Sequence, residues 1–142
     1  HLTYGIIRQE SAFKQDAVSR ANAIGLMQII PATGKRFGAR KKELYDPVRS
    51  IETGTKIMNK LLGDYDGNLV FAMGGYNAGP GNVNKWIKRF GLGNREWMAD
   101  WIEMIPFSET RGYVQRIPSG TRIYKGYDRN VVVLDKIDDL AQ

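Results

Sequence analysis

Glu10 is a carboxylate where the pattern around it calls for an apolar residue. On a helix over residues 2–13, at about 100° per residue, Leu2, Ile6, Ile7 and Phe13 share one arc, and Glu10 falls inside it between Ile6 and Ile7. Tyr4, Arg8, Ser11 and Ala12 lie on the opposite side. A carboxylate on a core-facing stripe loses hydration, which disfavours its charged form and raises its pKa. A general acid working near neutral pH requires that property. The same position also suits a Glu that curls back to solvent or meets a buried Arg.

Four segments are richer in polar residues and glycine than a simple core would be. They are Arg8-Gln9-Glu10-Ser11-Ala12-Phe13, then Ser19 with Gly25-Leu26-Met27-Gln28-Ile29-Ile30-Pro31, then Gly74-Gly75-Tyr76-Asn77-Ala78-Gly79-Pro80-Gly81, and finally residues 105–114. Sugars present flat apolar faces and hydroxyl edges, so their sites pair aromatic or Met surfaces with neutral amides and hydroxyls. Ser19, Gln28, Tyr76, Asn77 and Tyr113 supply such groups. Each element also has a plainer explanation. Gly74-Gly75 permits close helix packing, Gly79-Pro80-Gly81 is a turn whatever its function, and Met27 and the tryptophans at helical spacing suit a core. Glu109 is favourable in the first turn of a helix without any catalytic role, and Arg111 could pair with it at the surface.

Bulk properties narrow the chemistry. The chain has 142 residues, one ordinary domain's worth, and begins at His1 without an initiator Met or signal peptide, which reads as a mature or excised domain. No run approaches the roughly 20 apolar residues of a membrane span. Lys and Arg total 21 against 15 Asp and Glu, for a net charge of +6. That excess suits an anionic partner: nucleic acid, an acidic membrane face or an acidic polysaccharide. The basic residues are spread along the chain, with short clusters only at Lys35-Arg36 and Arg40-Lys41-Lys42, which argues against nucleic acid. There is no cysteine, and His1 is the single histidine. Thiolate and histidine metal sites and Ser-His-Asp triads are therefore not expected, and acid–base work falls to Asp, Glu, Tyr or Lys.

The elements that must position these groups read as helices with Gly- and Asn-rich breaks. A helix over 2–13 is followed by a polar loop at 16–25, a short apolar turn at 26–30, and a helix from Pro31 towards Phe37. After a connector at 40–47, Ser50 is the expected N-cap, with Thr53 where a capping-box Glu would sit. Ile51, Ile57, Met58, Leu61 and Leu62 form the stripe behind it. Asn68 caps the next helix. After the break at Gly79-Pro80-Gly81, Val83, Trp86, Ile87 and Phe90 repeat at helical spacing. Asn94 opens a segment with Trp97, Met98, Trp101, Ile102 and Ile105 on one side, ended by Pro106, and Ser108 caps a last helix. Pro118-Ser119-Gly120 is expected to break that helix. Residues 121–125 and 131–134 form a possible small hairpin, and 135–142 a short helix. No repeat or linker argues for a second domain.

Taken together, the four segments in this order and spacing resemble the catalytic domain of soluble lytic transglycosylases, in glycoside hydrolase family 23. The matching features are Glu10-Ser11 on the first helix, Gly25-Leu26-Met27-Gln28, Tyr76-Asn77-Ala78-Gly79-Pro80-Gly81, and residues 105–114. The resemblance covers about 2–117. It implies a mainly α, lysozyme-like domain over 1–117, with 118–142 as a tail packed on it or trailing from it. The implied activity is cleavage of the β-1,4 bond between N-acetylmuramic acid and N-acetylglucosamine in peptidoglycan.

Carried over position by position, the resemblance makes Glu10 the single catalytic acid/base. Ser19, Met27 and Gln28 become cleft residues, with Ser19 and Gln28 contacting the muramoyl sugar. Tyr76 and Asn77 line the site beside the catalytic Glu, and Glu109 and Tyr113 support it from the last helix. It further implies a monomer in the periplasm or cell envelope, bound to glycan strands and not inserted in a membrane, with no cofactor and no metal. Gly75 stands where the family commonly has Ala. Two other readings remain on the same fold, a water-using lysozyme-type hydrolase and an inactive glycan-binding domain. Water-based cleavage would favour a second carboxylate, for which Glu109 is the motif candidate.

Overall fold

The computed structural model describes residues 2–92 and 98–119. Among these, seven α-helices and one 3-10 turn account for the regular structure, and β pairing is confined to isolated bridges. The expected hairpin and helix beyond residue 120 lie outside the described residues. The chain divides between residues 59 and 60 into two compact units.

The first unit opens with α1 (Leu2–Ser11), which buries Leu2, Ile6, Ile7 and Ser11. The helix stops two residues short of the expected end, because Ala12 and Phe13 both take left-handed backbone, with φ 49° and 65°. Phe13 therefore leaves the apolar arc. It is 47% exposed and lies against Tyr4, with ring centroids 5.0 Å apart. Ser11, expected on the outer side, is buried, and its hydroxyl donates to the Ile7 carbonyl at 3.1 Å. That back-bond satisfies the hydroxyl without water and lets the buried arc widen past Ile7.

Helix α2 (Pro31–Arg36) starts at its proline as expected, and Lys35 and Arg36 occupy its last turn, where cations suit the helix dipole. The 3-10 turn Lys41–Tyr45 leads to α3 (Pro47–Asp64). The start of α3 corrects the expected Ser50 cap. The Asp46 carboxylate accepts from the Val48 and Arg49 amides at 2.9 and 3.1 Å, so Asp46 is the cap and Pro47 the first helical residue. Ser50 sits one turn inside, fully buried. An ion network ties the 3-10 turn to this helix start: Arg49 bonds Glu43, Glu52 and the Gly38 carbonyl, while Arg40 bonds Glu43 from the other side. These contacts hold the Glu43 carboxyl at a pKa of about 2, chiefly through the Arg40 side-chain bond.

The second unit is built around α4 (Leu69–Ala78). Asn68 caps it by accepting from the Phe71 amide at 3.1 Å, and Leu69 through Gly75 are all buried. A helix apolar all round must be enclosed by others, and α5 (Pro80–Phe90) and α7 (Ser108–Ser119) pack on it. Gly74 makes the approach of α5 close, and Gly75 faces Leu61 at the end of α3. A Cβ on Gly74 would stand 3.2 Å from Val83 Cγ2, and one on Gly75 3.0 Å from Leu61 Cδ2. The plainer reading of this Gly pair as packing residues therefore holds.

Helix α6 (Met98–Glu103) ends before Pro106, as expected, and buries Met98, Trp101 and Ile102. Trp86 and Trp101 are core residues, joined edge to face at 6.5 Å, and the Trp101 indole donates to the Gly91 carbonyl. Two expectations about α7 change. Ser108 is its first residue, with the Phe107 carbonyl already accepting from the Arg111 amide at 2.9 Å. The helix also runs through residues 118 and 119 instead of breaking at Pro118. None of the described helices is long and apolar enough to cross a membrane.

Candidate active site

Glu10 is the penultimate residue of α1, half-buried between the fully buried Ile6 and Ile7, while its neighbours Arg8 and Gln9 are exposed. Glu10 thus stands at the border of the apolar face of α1.

The loop after α1 carries three more candidates and is cross-tied throughout. Ile24 bridges both Val18 and Ile29. The Gly25 amide donates to the Ala17 carbonyl at 2.8 Å. Ser19 closes a tight turn: its amide donates to the Ala23 carbonyl at 2.9 Å, and its hydroxyl oxygen accepts from the Ala23 amide at 3.1 Å. Gln28 holds left-handed backbone at φ 49°, and its side-chain Nε2 donates to the Ala17 and Gly25 carbonyls, both at 3.0 Å. The donor end of Gln28 is therefore committed to the loop, and its Oε1 accepts no bond among the described residues.

Met27 is buried, its amide donating to Ser50 Oγ at 3.1 Å and its side chain filling the space over Gly54. Gly25 is required at its position, because φ is +79° and an added Cβ would run into the Leu44 carbonyl oxygen. Sequence reasoning missed Ser50 and Gly54. A Ser four residues after a better cap, and a Gly inside an 18-residue helix, were the available signals.

In the second unit, Asn77 and Glu109 line one cleft of about 500 Å³, together with Pro106, Phe107 and Thr110. That volume suits a small ligand or one or two sugar rings. Asn77 lies in the last turn of α4 and is half-buried; Glu109 is exposed in the first turn of α7. Thr110, which is 2% exposed, links the two helices by donating from Oγ1 to Asn77 Oδ1 at 2.7 Å. Phe107, 46% exposed, forms the apolar wall, and Trp86 supports it edge to face at 5.2 Å.

The expected surface pair of Arg111 with Glu109 does not form, because Arg111 Nη1 donates to the Ile105 carbonyl at 3.1 Å, bracing the turn before α7. Tyr76 is half-buried beside Asn77, and Tyr113, at 2% exposure, belongs to the core of α7. Thr110 is the further residue that sequence reasoning did not single out. Among the described residues no group of three or more His, Cys, Asp or Glu could hold a metal ion.

With this geometry, comparison with known proteins is informative. The chain is 37% identical over 131 residues to the soluble lytic murein transglycosylase of Escherichia coli K12, a match covering 84% of this chain and 20% of that protein. Two solved structures share the fold. The 70 kDa soluble lytic transglycosylase of E. coli superposes with a TM-score of 0.77 at 32% identity, covering 90% of this chain and 22% of that one. An inactive Glu-to-Gln mutant of the lytic transglycosylase Slt from Pseudomonas aeruginosa superposes with a TM-score of 0.75 at 38% identity, covering 91% and 22%. The fold is thus mainly α and lysozyme-like. The chain spans about a fifth of the length of the soluble lytic murein transglycosylases it matches. The family model for the transglycosylase SLT domain matches residues 1–97, which take in Glu10, the cross-tied loop and Tyr76-Asn77, and the chain belongs to that family.

Proposed function

We propose that this chain is the catalytic part of a peptidoglycan lytic transglycosylase, acting in the periplasm or cell envelope as a monomer, with Glu10 as its sole general acid/base. The observation that carries the reading is the family match over residues 1–97, which includes Glu10, Ser19, Met27, Gln28, Tyr76 and Asn77. Two further points support it. A single Glu-to-Gln exchange accompanies inactivity in the Pseudomonas relative. Glu10 itself stands at the edge of an apolar helix face, where a carboxylate can be shielded on one side and reach substrate on the other.

In this mechanism Glu10 begins protonated and donates to the glycosidic oxygen as the bond to the N-acetylmuramic acid anomeric carbon breaks. The substrate's own N-acetyl group stabilises the positive charge that develops there. The Glu10 carboxylate then takes the proton of the muramoyl 6-hydroxyl, whose oxygen attacks the anomeric carbon and closes a 1,6-anhydro ring. One residue acts first as acid and then as base. This is a substrate-assisted alternative to the two-carboxylate scheme. The resemblance assigns neutral amides and hydroxyls to Ser19 and Gln28 in the first unit and to Tyr76 and Asn77 in the second; Met27, buried over Gly54, backs the Gln28 loop from the interior, and Glu109 and Tyr113 are the supporting groups of α7.

Mass spectrometry of purified peptidoglycan digested with the chain tests the reading. Muropeptides ending in 1,6-anhydro-N-acetylmuramic acid are the expected products. Exclusively free reducing ends would instead establish hydrolysis by water, and an undigested sacculus would leave a binding domain.

A further inference from the structure

We infer that Thr110 is a positioning residue: its buried hydroxyl orients the Asn77 amide so that Asn77 Nδ2 donates into the cleft, to a carbonyl or hydroxyl oxygen of an N-acetylated sugar. The identity of the ligand rests on the reading above; the orientation of the amide rests on geometry.

An asparagine amide has a donor end and an acceptor end of nearly the same shape, so the end that faces a ligand is chosen by what binds the other. Thr110 makes that choice. Its hydroxyl is 2.7 Å from Asn77 Oδ1, and this is its hydrogen bond among the described residues. If Thr110 accepted from Asn77 instead, its own O–H would be a buried donor with no acceptor, an arrangement that costs more than the bond returns. Donation satisfies the hydroxyl and commits Oδ1, which leaves both Nδ2 hydrogens for the cleft.

The other walls fit the same ligand class. Phe107 offers an apolar face fixed by Trp86, and the exposed Glu109 carboxylate offers an acceptor for a sugar hydroxyl or amide N–H. An N-acetyl carbonyl is the strong acceptor that a sugar of this class presents to an amide donor.

Calorimetric titration of the full chain with chitotetraose, four linked N-acetylglucosamine units, tests the inference. Thr110→Val keeps the volume and removes the hydroxyl, so affinity should fall about tenfold, while Thr110→Ser restores the donor and binds within about twofold of the parent. Asn77→Asp retains the acceptor for Thr110 but loses Nδ2. It should keep its melting temperature and still lose about tenfold or more in affinity. Adding Thr110→Val to Asn77→Asp should then weaken binding by less than about a further twofold, since both changes remove one interaction.

A merely structural link between α4 and α7 predicts the opposite for Asn77→Asp, which would bind normally. Normal binding by Asn77→Asp, or a Thr110→Ser as weak as Thr110→Val, overturns the inference while the functional reading stands. A parent chain that neither binds chitotetraose nor releases anhydro products overturns both.

Discussion

Met27 is seated on Gly54: a Cβ at residue 54 would lie 2.5 Å from Met27 Cε and 2.9 Å from Met27 Cβ and Cγ. Glycine inside a helix costs about 1 kcal/mol relative to alanine, so its presence near the middle of α3 reflects a need for space. Gly54→Ala should therefore destabilise by about 1–2 kcal/mol, the crowding of Met27 outweighing the gain in helix propensity. Thermal denaturation measures the shift. A loss of peptidoglycan lysis larger than the unfolded fraction explains would follow from displacement of Met27 and its loop. A variant more stable than the parent would show that Met27 can move aside freely.

Glu10→Gln preserves size and hydrogen-bonding capacity while removing the proton that the mechanism transfers. Lysis of purified sacculi, followed by turbidity, should fall by at least about a thousandfold, with the melting temperature unchanged within about 2 °C, because the residue is only half-buried. Retention of more than a tenth of the activity would remove Glu10 from the central role.

The Glu43 network makes a statement about pH. Its folded pKa of about 2 lies below the ordinary 4.5, so the folded state binds this proton less readily than the unfolded chain. The contribution to stability is fully present above about pH 4.5 and is lost as the pH falls towards 2. Glu43→Gln should flatten the part of the acid-denaturation profile between those values. Arg40→Ala and Arg49→Ala should each raise the Glu43 titration midpoint, the first by more, as read by NMR of the side-chain carboxyl carbon.

Two glycines should respond oppositely to alanine. At Gly25 the backbone is left-handed and the added methyl meets the rigid Leu44 carbonyl, so Gly25→Ala should cost more than about 3 kcal/mol and yield little folded protein. At Gly75 the methyl's one tight contact is Leu61 Cδ2, at 3.0 Å, the far end of a flexible side chain, while Tyr65 Cε2 at 3.5 Å is at ordinary contact distance. Gly75→Ala should be neutral or stabilising by up to about 1 kcal/mol, because the helix-propensity gain outweighs a small rotation of Leu61. Comparison of soluble yield and melting temperature for the pair checks both signs.

Much of this protein was legible in its residue order because the relevant forces are local. The apolar stripe that brackets Glu10, the Asn68 cap, the start of α2 at Pro31 and the Gly79 break follow from side-chain periodicity and backbone preference within a few residues. The candidate site residues were likewise legible as motifs, since their types and spacing survive without any knowledge of their partners.

What could not be read depends on partners distant along the chain. The early end of α1 needed two non-glycine residues in left-handed backbone, and propensity argues against both. Ser50 looked like a cap because its true partner, the Met27 amide, is 23 residues away. Thr110 looked like an ordinary helix residue until α7 packed on α4 and set its hydroxyl against Asn77, 33 residues earlier. Burial and hydrogen-bond completion act between surfaces that folding brings together, and they decide which polar groups and which glycine positions are committed to the interior.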